Sequence, residues 1–499
     1  MNYQKHALFL AAILLFSVSV GTAQKSKFAP LTDYKKKAAA IEQLEKDLPA
    51  LMKVADIPGL SITLIRDGKP VWTRGFGVKN SETKEAVSEE TVFEAASLTK
   101  PVFAYAVLKL VDAGKLDLDA PLNKYLPGNY DVAPEDARVN QITARRVLSH
   151  TTGFPNWRQP RGAKTLPMYF TPGERFSYSG EGFVYLSKVV EQITGMKFED
   201  YVRDAVFKPL GMTSSSLAWQ EKHKTLKSFN HDLLGNPAGQ GEGNTPNAAG
   251  SLLTTTADYA KFVAAVLNGT GLKKETRRQM TTPQIRVDET CRNCTDRPAA
   301  GKLSTEIGWG LGWGLQTTDE GKSFWHWGDN GNNKAFVVAF EKQKDGLVVL
   351  TNSANGLFIL KEILADGLGG KHPAVAWINT GRYDSPARVL LKSIVTDGAE
   401  KAVRDYRQRR ETSPAEKLDE SRINSLGYDL LRARKIDEAI AVFLLNTEDF
   451  PASANTWDSL AEAYMVKGDK PKAIANYKKS LELNPNNKGA AERIKELEQ

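Results

Sequence analysis

The sequence predicts an α/β domain followed by an all-α module of helical repeats. β-rich segments lie near both ends of the first 385 residues, around a middle rich in helix-forming stretches, so distant segments must complete one sheet. After residue 385, matching residue types recur at a spacing of 34, which is typical of stacked helical hairpins. A chain of 499 residues is long enough for two or three domains of about 100–200 residues each.

The first 23 residues predict a secretory signal peptide. Lys5 and His6 precede an apolar run from Ala7 to Leu15, and small residues come before a cut after Ala23. The run is shorter than the about 20 apolar residues that span a bilayer, so it does not predict a transmembrane helix. We therefore expect a protein that is exported, periplasmic or secreted, with no transmembrane anchor in the mature chain.

Hydrophobic periodicity predicts the elements of the first domain. An amphipathic helix is expected over residues 35–54, and two β-rich runs flank the turn signal Asp67-Gly68. An apolar helix follows from Ser97, and residues from about 115 to 215 are expected to be mostly helical, with Pro and Gly breaks. The expected strands are 60–65, 71–78, 309–315, 323–327, 335–340 and 347–350, and a closing helix is expected at 357–368.

Composition excludes several functions. With 41% apolar and 25% charged residues the chain is ordinary globular material, and its net charge of +8 is diffuse, without a basic block, so no nucleic-acid partner is predicted. Cys291 and Cys294 are the two cysteines; they cannot close a four-ligand zinc site, and a local disulfide is expected in an exported protein. The sequence predicts no metal and no cofactor.

Ser97 and Lys100 form a Ser-x-x-Lys pattern at the head of the apolar helix. Residues i and i+3 share one helix face, so the lysine amine would lie beside the serine hydroxyl, which needs an adjacent base to become nucleophilic. Pro101 is compatible with a first helical turn. The pattern alone also fits a serine N-cap beside a solvated lysine. A second copy, Ser81 to Lys84, lies in a polar run and is expected to be a loop.

Three later motifs favour the catalytic interpretation of Ser97 and Lys100 over the N-cap. They are Ser149-His150-Thr-Thr-Gly153, Tyr178-Ser-Gly180 and His326-Trp-Gly328. In this order with Ser-x-x-Lys, they resemble the serine hydrolases related to class C β-lactamases and DD-carboxypeptidases, over about residues 35 to 370. The resemblance implies a β-lactamase/transpeptidase-like fold for residues 24–385, in which an antiparallel sheet is flanked by helices and joined by a helical subdomain.

The resemblance also implies catalytic roles. Ser97 would be the nucleophile, Lys100 its proton partner, and Tyr178 a bridge to the leaving group that acts as base and then as acid. The assignment of the base between Lys100 and Tyr178 stays open, and the lysine's charge is expected to lower the pKa of the tyrosine. The backbone N–H groups of Ser97 and Asp329 would form the oxyanion hole.

Substrate binding is assigned by the same resemblance to His326, Gly328 and Gly180. A glycine at 328 would let a substrate backbone approach the strand. Gly180 stands where the family pattern has an asparagine, and Asp329 stands where small residues are common, so the sequence favours simpler substrates over β-lactam turnover. His150 is expected to be structural.

Residues 386–499 predict tetratricopeptide-like repeats. Ile423 and Trp457, like Phe443 and Tyr477, are 34 residues apart. A weaker match at 400–406 suggests a degenerate earlier unit, and two unrelated helical hairpins remain the alternative.

The sequence thus predicts an exported serine hydrolase that acts through an acyl-enzyme on Ser97. Its expected substrates are D-amino-acyl peptides or amides, esters or β-lactams, and the repeats would allow a protein partner. The alternative is a non-catalytic ligand- or protein-binding platform in which the helical repeats perform the function. The presence of Ser97, Lys100 and Tyr178 together favours the enzyme.

Overall fold

The computed structural model describes residues 34–128, 130–160, 162–242, 245–295 and 301–499. The predicted signal peptide, residues 1–23, lies outside the described residues. No helix within the described ranges is both long and apolar enough to cross a membrane.

The described ranges contain ten strands. They are β1 Gly59–Arg66, β2 Lys69–Gly77, β3 Phe93–Ala96, β4 Leu252–Thr254, β5 Ile285–Asp288, β6 Leu303–Trp309, β7 Gly314–Thr318, β8 Gly321–Asp329, β9 Lys334–Phe340 and β10 Asp345–Thr351. Eight of them form one sheet in the order β2-β1-β10-β9-β8-β7-β6-β5, in which every neighbouring pair is antiparallel. The first strand of the chain therefore pairs with the last one, and distant segments complete one sheet, as the sequence predicted. Strands β3 and β4 form a separate antiparallel pair.

Helices cover both faces of this sheet. They are α1 Tyr34–Ala55, α2 Thr99–Asp112, α3 Ala144–Leu148, α4 Gly180–Thr194, α5 Phe198–Val202, α6 His223–Leu226, α7 Thr256–Asn268, α8 Lys274–Met280, α9 Leu360–Gly367 and α10 Pro373–Ile378. Three further helical segments that are not α-helical occupy Leu122–Lys124 and Ala137–Gln141, which are 3₁₀-helices, and Arg203–Phe207, which is a π-helix.

The two faces of the sheet bury two separate cores. Alternate side chains of a strand point to opposite faces. In β9, Phe336 and Val338 therefore pack with α1, α9 and α10, whereas Val337 and Ala339 pack with α2, α7 and the helical subdomain. The second of these cores surrounds α2, the helix that follows Ser97.

The C-terminal module is all-α. Its helices are α11 Pro386–Asp397, α12 Ala399–Thr412, α13 Glu420–Arg432, α14 Ile436–Asp449, α15 Ala454–Lys467, α16 Lys470–Leu483 and α17 Lys488–Glu498, with a short turn at Pro414–Glu416. The period of 34 residues relates the hairpin α13–α14 to the hairpin α15–α16. The last helix packs on this array, where Ala490 and Ile494 share a small core with Tyr477. The boundaries 24–385 and 386–499 remain predictions.

Most predicted elements near the sheet are observed, and two predictions are wrong. Residues 309–315 are not one strand: β6 ends at Trp309 and β7 begins at Gly314, because Gly310 N–H donates to Trp313 O at 2.8 Å in a tight turn. The region 115–215 is not mostly helical, since α4 is its one helix longer than five residues in the described part of the chain. The Pro and Gly residues of this region interrupt helices more often than its helical spacing of apolar residues predicted.

Candidate active site

Ser97 lies on the turn between β3 and α2, and α2 begins at Thr99 rather than at Ser97. The chain is still in a strand at Ala96, whose φ of +48° bends it sharply. This left-handed conformation costs an L-residue about 1–2 kcal/mol, and a hydrogen bond from Thr99 Oγ1 to Ala96 O at 2.6 Å holds it. Ser97 is consequently only partly buried, unlike its neighbours on both sides.

Lys100 lies in the first turn of α2 and is fully buried. Its Nζ lies 3.1 Å from Ser97 Oγ and donates to Ala249 O at 2.7 Å. Burial lowers the pKa of Lys100 to about 7, because an ammonium ion without water around it is destabilised. A large fraction of the amine is therefore neutral at neutral pH and has a free lone pair beside the serine hydroxyl.

Tyr178 is buried against the same lysine, whose Nζ lies 4.7 Å from the centre of the phenol ring. Burial raises the pKa of Tyr178 well above its ordinary value, the Ser97 hydroxyl offsets this in part, and the charge of Asp329 adds to it. The net shift is upward, opposite to the lowering expected from the charge of Lys100, because burial is its largest cause. The phenol stays protonated at neutral pH.

His150 packs against the ring of Tyr178 and binds the residue after it. Its Nδ1 accepts the Ser179 N–H at 3.0 Å, and its ring centre lies 4.3 Å from that of Tyr178. The burial of His150 is complete and lowers its pKa well below the usual value, so it is neutral. These contacts agree with the structural role expected for it.

His326, on β8, also lies beneath the surface. It is fully buried, its Nδ1 is 2.7 Å from Trp327 O, and its ring centre is 6.1 Å from that of Tyr178. Burial, helped by the charge of Lys100, lowers the pKa of His326 to about 3. The imidazole is therefore a neutral neighbour of the lysine and the tyrosine.

Gly328 is needed for a contact within the protein. A Cβ at this position would lie 2.4 Å from Ala95 O, on the strand that leads to Ser97. In the structure it is the backbone of β3 that approaches this glycine, and the expected approach of a substrate backbone stays a prediction. The glycine thus allows β8 to pack directly on the segment that holds Ser97.

Asp329 ends β8, and its carboxylate is bound on the β8–β9 turn. It pairs with Lys334 and accepts the Gly331 N–H at 2.8 Å. The negative charge that was expected to disfavour β-lactams is therefore partly neutralised by its own hairpin.

Gly180 is the first residue of α4, and its N–H donates to Asn156 Oδ1 at 3.0 Å. A Cβ here would lie 2.8 Å from the indole of Trp157. An aromatic ring therefore stands beside the position where the family pattern has an amide side chain.

Sequence reasoning missed two backbone groups. One is Ala249 O, the acceptor for Lys100, which a single sequence could not indicate because it lies 149 residues further along the chain. The other is Arg292 O, which accepts the Tyr178 N–H at 2.9 Å. Arg292 lies in the loop closed by the disulfide Cys291–Cys294. The Cys-x-x-Cys pattern predicted this disulfide, but not its contact with Tyr178.

The structure brings Ser97, Lys100 and Tyr178 together, with His326 and Gly328 packed around them. The described ranges contain no group of three or more His, Cys, Asp or Glu side chains that could hold a metal ion. The arrangement is a partly exposed hydroxyl beside a buried amine and a protonated phenol, on one side of an antiparallel sheet.

This fold and this arrangement define a β-lactamase-type protein. The family model described as Beta-lactamase matches residues 42–364, so the chain belongs to that family, whose members are serine hydrolases. A second model, Tetratricopeptide repeat, matches residues 454–487 and confirms the predicted repeat at α15–α16.

Individual relatives are distant. Protein flp of Staphylococcus aureus (strain N315) is 25% identical over 372 residues, covering 70% of this chain and 69% of the relative. Penicillin-binding protein 4 of Amycolatopsis lactamdurans is 28% identical over 361 residues, covering 65% of this chain and 90% of the relative. The octameric penicillin-binding protein homologue from Pyrococcus abyssi has a similar structure, with a TM-score of 0.55, 25% identity, and coverage of 70% of this chain and 81% of that one.

Proposed function

We propose that this protein is an exported serine hydrolase that forms an acyl-enzyme on Ser97. The observation that supports this most directly is Lys100: a fully buried amine, 3.1 Å from the serine hydroxyl, with a pKa of about 7. A base with a pKa near the working pH combines availability with proton affinity. A solvated lysine beside a helix N-cap has neither the burial nor the lowered pKa.

In acylation, the neutral Lys100 amine takes the Ser97 proton while Oγ forms a bond to the substrate carbonyl carbon. The N–H groups of Ser97 and Asp329 are proposed to stabilise the oxyanion. As the carbon–leaving-group bond breaks, Tyr178 gives its proton to the leaving atom and regains one from the Lys100 ammonium. This assigns the base to Lys100 and the acid to Tyr178, because a phenol with a raised pKa is a poor base at neutral pH.

In deacylation the same groups work in reverse. A water molecule transfers a proton to Lys100 and attacks the acyl carbon, and the proton then returns to Ser97 Oγ as the ester bond breaks. The proposed substrates are, from the most to the least favoured, D-amino-acyl peptides or amides, esters and β-lactams. The similarity to a penicillin-binding protein supports this range.

Intact-mass spectrometry tests the proposal. The protein is exposed to a fluorophosphonate, a penicillin and a p-nitrophenyl ester, beside the variants Ser97→Ala and Ser81→Ala. Ser81 belongs to the second Ser-x-x-Lys sequence, which makes it a matched control. We expect an adduct that is lost only in Ser97→Ala. A folded protein that forms no adduct with any probe would refute the enzyme and favour the binding platform.

The repeat module is proposed to bind a protein partner, because tetratricopeptide repeats suggest protein interaction. Pull-down with the full chain, compared with a chain that lacks residues 386–499, tests this. Export is tested by locating the protein in cell fractions with and without residues 1–23.

A further inference from the structure

We infer that Glu94 is a positioning residue, whose carboxylate joins the segment that carries Ser97 to the turn that carries Asp329. This inference rests on the proposed acyl-enzyme at Ser97, because it concerns how the two N–H groups proposed for the oxyanion are held at a fixed separation. Its basis is a buried hydrogen bond between the two segments, in which Asn333 Nδ2 donates to Glu94 Oε2 at 2.7 Å.

Glu94 is joined to the nucleophile by a short, well-held stretch of chain. It lies on β3, three residues before Ser97, and its side chain is almost fully buried. The strand ends at Ala96, whose φ of +48° begins the turn to Ser97. A shift of Glu94 is therefore passed to the serine, since only two residues lie between them.

Asn333 belongs to the turn between β8 and β9, four residues after Asp329. It is completely buried although it lies in a turn, because its side chain extends into the protein and binds Glu94. Asn330, on the same turn, donates from Nδ2 to Gly250 O at 3.2 Å, which is a longer and exposed bond to a different segment. The amide of Asn333 thus ties this turn, and with it the N–H of Asp329, to the serine segment.

A second contact joins the same two segments. β8 and β3 touch where Gly328 faces Ala95 O, since a Cβ on this glycine would lie 2.4 Å from that oxygen. Gly328 precedes Asp329 and Asn333 follows it, so the two contacts lie on either side of the residue with the proposed oxyanion N–H. The contact at Gly328 sets the distance between the segments, and the bond to Glu94 prevents the turn from rotating about that contact.

The carboxylate of Glu94 is also held by a second amide and a buried cation. Asn230 Nδ2 donates to the same Oε2 at 3.2 Å, and Asn230 Oδ1 accepts from Lys227 Nζ at 3.0 Å. Lys227 is almost completely buried; burial lowers its pKa to about 8, and the negative charge of Glu94 offsets this lowering in part. Hydrogen bonds to an ionised group are about twice as strong as those between neutral groups. Glu94 therefore holds the amide of Asn333 more firmly than a neutral acceptor would.

Oxyanion stabilisation depends on the separation and direction of its two donors. Both N–H groups must point at one oxygen, and removal of one donor typically slows a reaction by about 100-fold to 1,000-fold. A misplacement of about 1 Å, caused by a change outside the reacting groups, slows it by about 100-fold. These donors bind the transition state more strongly than the bound substrate. Loss of the bond between Glu94 and Asn333 should therefore slow acylation and leave substrate affinity nearly unchanged.

Stopped-flow acylation with a p-nitrophenyl ester separates rate from affinity. Glu94→Ala and Asn333→Ala should each lower the limiting acylation rate by about 10-fold to 100-fold, with the half-saturating ester concentration changed by less than about threefold. Glu94→Gln should stay within about fivefold of the wild-type rate, because its amide oxygen still accepts from Asn333. Asn446→Ala removes an equally buried asparagine from the repeat module and should have no effect.

A double variant tests whether the hydrogen bond is the cause. Both single changes remove the same bond, so Glu94→Ala combined with Asn333→Ala should be within about twofold of the slower single variant. Multiplied effects would mean that the two side chains act separately and would contradict the inference. Asn333→Ala leaves Glu94 bound to Asn230, so this variant carries the test if Glu94→Ala does not fold.

The carbonyl of the acyl-enzyme reports the oxyanion donors directly. p-Nitrophenyl pivalate has a crowded acyl carbon that deacylates slowly, and difference infrared spectroscopy with an isotopically labelled carbonyl isolates the stretching band of the acyl group on Ser97. Hydrogen bonds to a carbonyl oxygen lower this frequency. Glu94→Ala and Asn333→Ala should therefore shift the band upward, and Glu94→Gln should restore it. A loss of stability alone would leave the band in place.

Two results would overturn different claims. If the wild type is acylated on Ser97, and folded Glu94→Ala and Asn333→Ala keep its rate and its carbonyl band, Glu94 is not a positioning residue and the enzyme stands. If no ester or fluorophosphonate reacts at Ser97 in the wild type, the proposed function is refuted. Hydrogen exchange of the N–H groups at 329–333 then tests the bond between the segments: Glu94→Ala should speed it by about tenfold or more, and Asn446→Ala should not. Unchanged exchange in Glu94→Ala would refute the joining of the two segments as well.

Discussion

Lys100 has an amine that water does not reach, and this single feature affects both reactivity and stability. The amine donates hydrogen bonds to Ser97 Oγ and Ala249 O. Burial alone accounts for the lowered pKa of Lys100. The same lysine on a solvated helix would be fully protonated at neutral pH and could not accept a proton.

The first prediction concerns the dependence of acylation on pH. Because the neutral amine is the base, the acylation rate should rise with pH, with an apparent pKa near 7, and level off above it. Stopped-flow measurement with an activated ester between pH 5 and 9 gives this profile. Lys100→Met should lower the plateau by about 100-fold or more and abolish the inflection. A flat profile in the wild type would argue against Lys100 as the base.

The second prediction concerns stability. The pKa of Lys100 is about 7 in the folded state and near 10.5 when unfolded. Between pH 7 and 10.5 the unfolded chain holds a proton on Lys100 that the folded chain lacks. The loss of folding stability caused by burying Lys100 is therefore largest below pH 7, where the buried amine is charged, and becomes smaller as pH rises through this range. Lys100→Met should therefore be more stable than the wild type by about 1–3 kcal/mol at pH 7. This gain is smaller than the free energy that corresponds to the pKa shift, because Ala249 O loses its hydrogen-bond donor in the variant.

Urea unfolding of both proteins at pH 7, 8.5 and 10 measures this difference. The advantage of Lys100→Met should shrink at each step, since titration of all other groups is common to the two proteins. An advantage that stays constant with pH would mean that the amine is charged in the folded protein.

The third prediction separates the roles of two neighbouring groups. Tyr178→Phe removes a proton donor without removing the base. Amide substrates, whose leaving nitrogen needs a proton, should lose about 100-fold or more in kcat/KM. p-Nitrophenyl esters, whose leaving group departs as an anion, should lose much less in acylation. Equal losses for both classes would instead indicate that the tyrosine is the base.

At the scale of elements, the site depends on contacts between segments that are far apart in sequence. Strand β3 and helix α2 hold Ser97, the residues before β4 provide the acceptor for Lys100, and β8 packs on β3 through Gly328. The disulfide loop adds a further support, because Arg292 O accepts the Tyr178 N–H and Cys294 O accepts from Arg175 Nε at 3.2 Å.

The fourth prediction concerns this loop. Opening the disulfide Cys291–Cys294 should loosen the support of Tyr178 and lower amide turnover by about threefold to tenfold, because a misplaced proton donor is less effective. The double variant Cys291→Ser, Cys294→Ser should show this loss permanently. Dithiothreitol should reproduce the loss in the wild type and have no effect on the variant. Unchanged turnover in the reduced wild type would show that the loop holds Tyr178 without its disulfide.

At the scale of the whole molecule, the repeat module is attached to the first domain through α11. Arg388 is almost fully buried; its Nη2 binds Asp56 Oδ2 at 2.7 Å, and its Nη1 donates to Leu233 O at 3.0 Å. Asp56 directly follows α1, and Leu233 packs into the core of the module. The first helix of the module therefore joins two distant segments of the first domain.

The fifth prediction tests that attachment. Arg388→Met should lower the free energy of unfolding by about 1–3 kcal/mol, because the Leu233 carbonyl and Asp56 each lose their shortest polar contact and keep only the longer ones, to Asn355 Nδ2 at 3.1 Å and to Lys392 Nζ at 3.5 Å. Arg404→Met, on the exposed side of α12, removes a surface pair with Glu400 and should stay within about 0.5 kcal/mol. Urea titration of each variant, supported by thermal unfolding, measures the two changes in the free energy of unfolding. Equal stability of the two variants would mean that the module is only loosely attached.

The sequence by itself determined the class of fold, the order of the two modules and the residues at the centre of the site. Period-2 and period-3.6 patterns predicted β1, β2, β8, β9, β10 and α1, and the 34-residue spacing predicted the repeats, because these patterns come from local geometry. Ser97, Lys100 and Tyr178 were found through motifs, and the Cys-x-x-Cys spacing indicated the disulfide. Local patterns failed where turns interrupt apolar spacing, at 310–313 and over much of 115–215.

The tertiary structure alone decided what these groups can do. The pKa of Lys100 depends on complete burial by segments from several parts of the chain, and the raised pKa of Tyr178 has the same cause, which a sequence pattern cannot express. The contact of β3 with Gly328 and the place of Trp157 beside Gly180 likewise depend on which distant segments meet. Spacing along a chain fixes which residues share a face, whereas desolvation and close approach depend on everything packed around them.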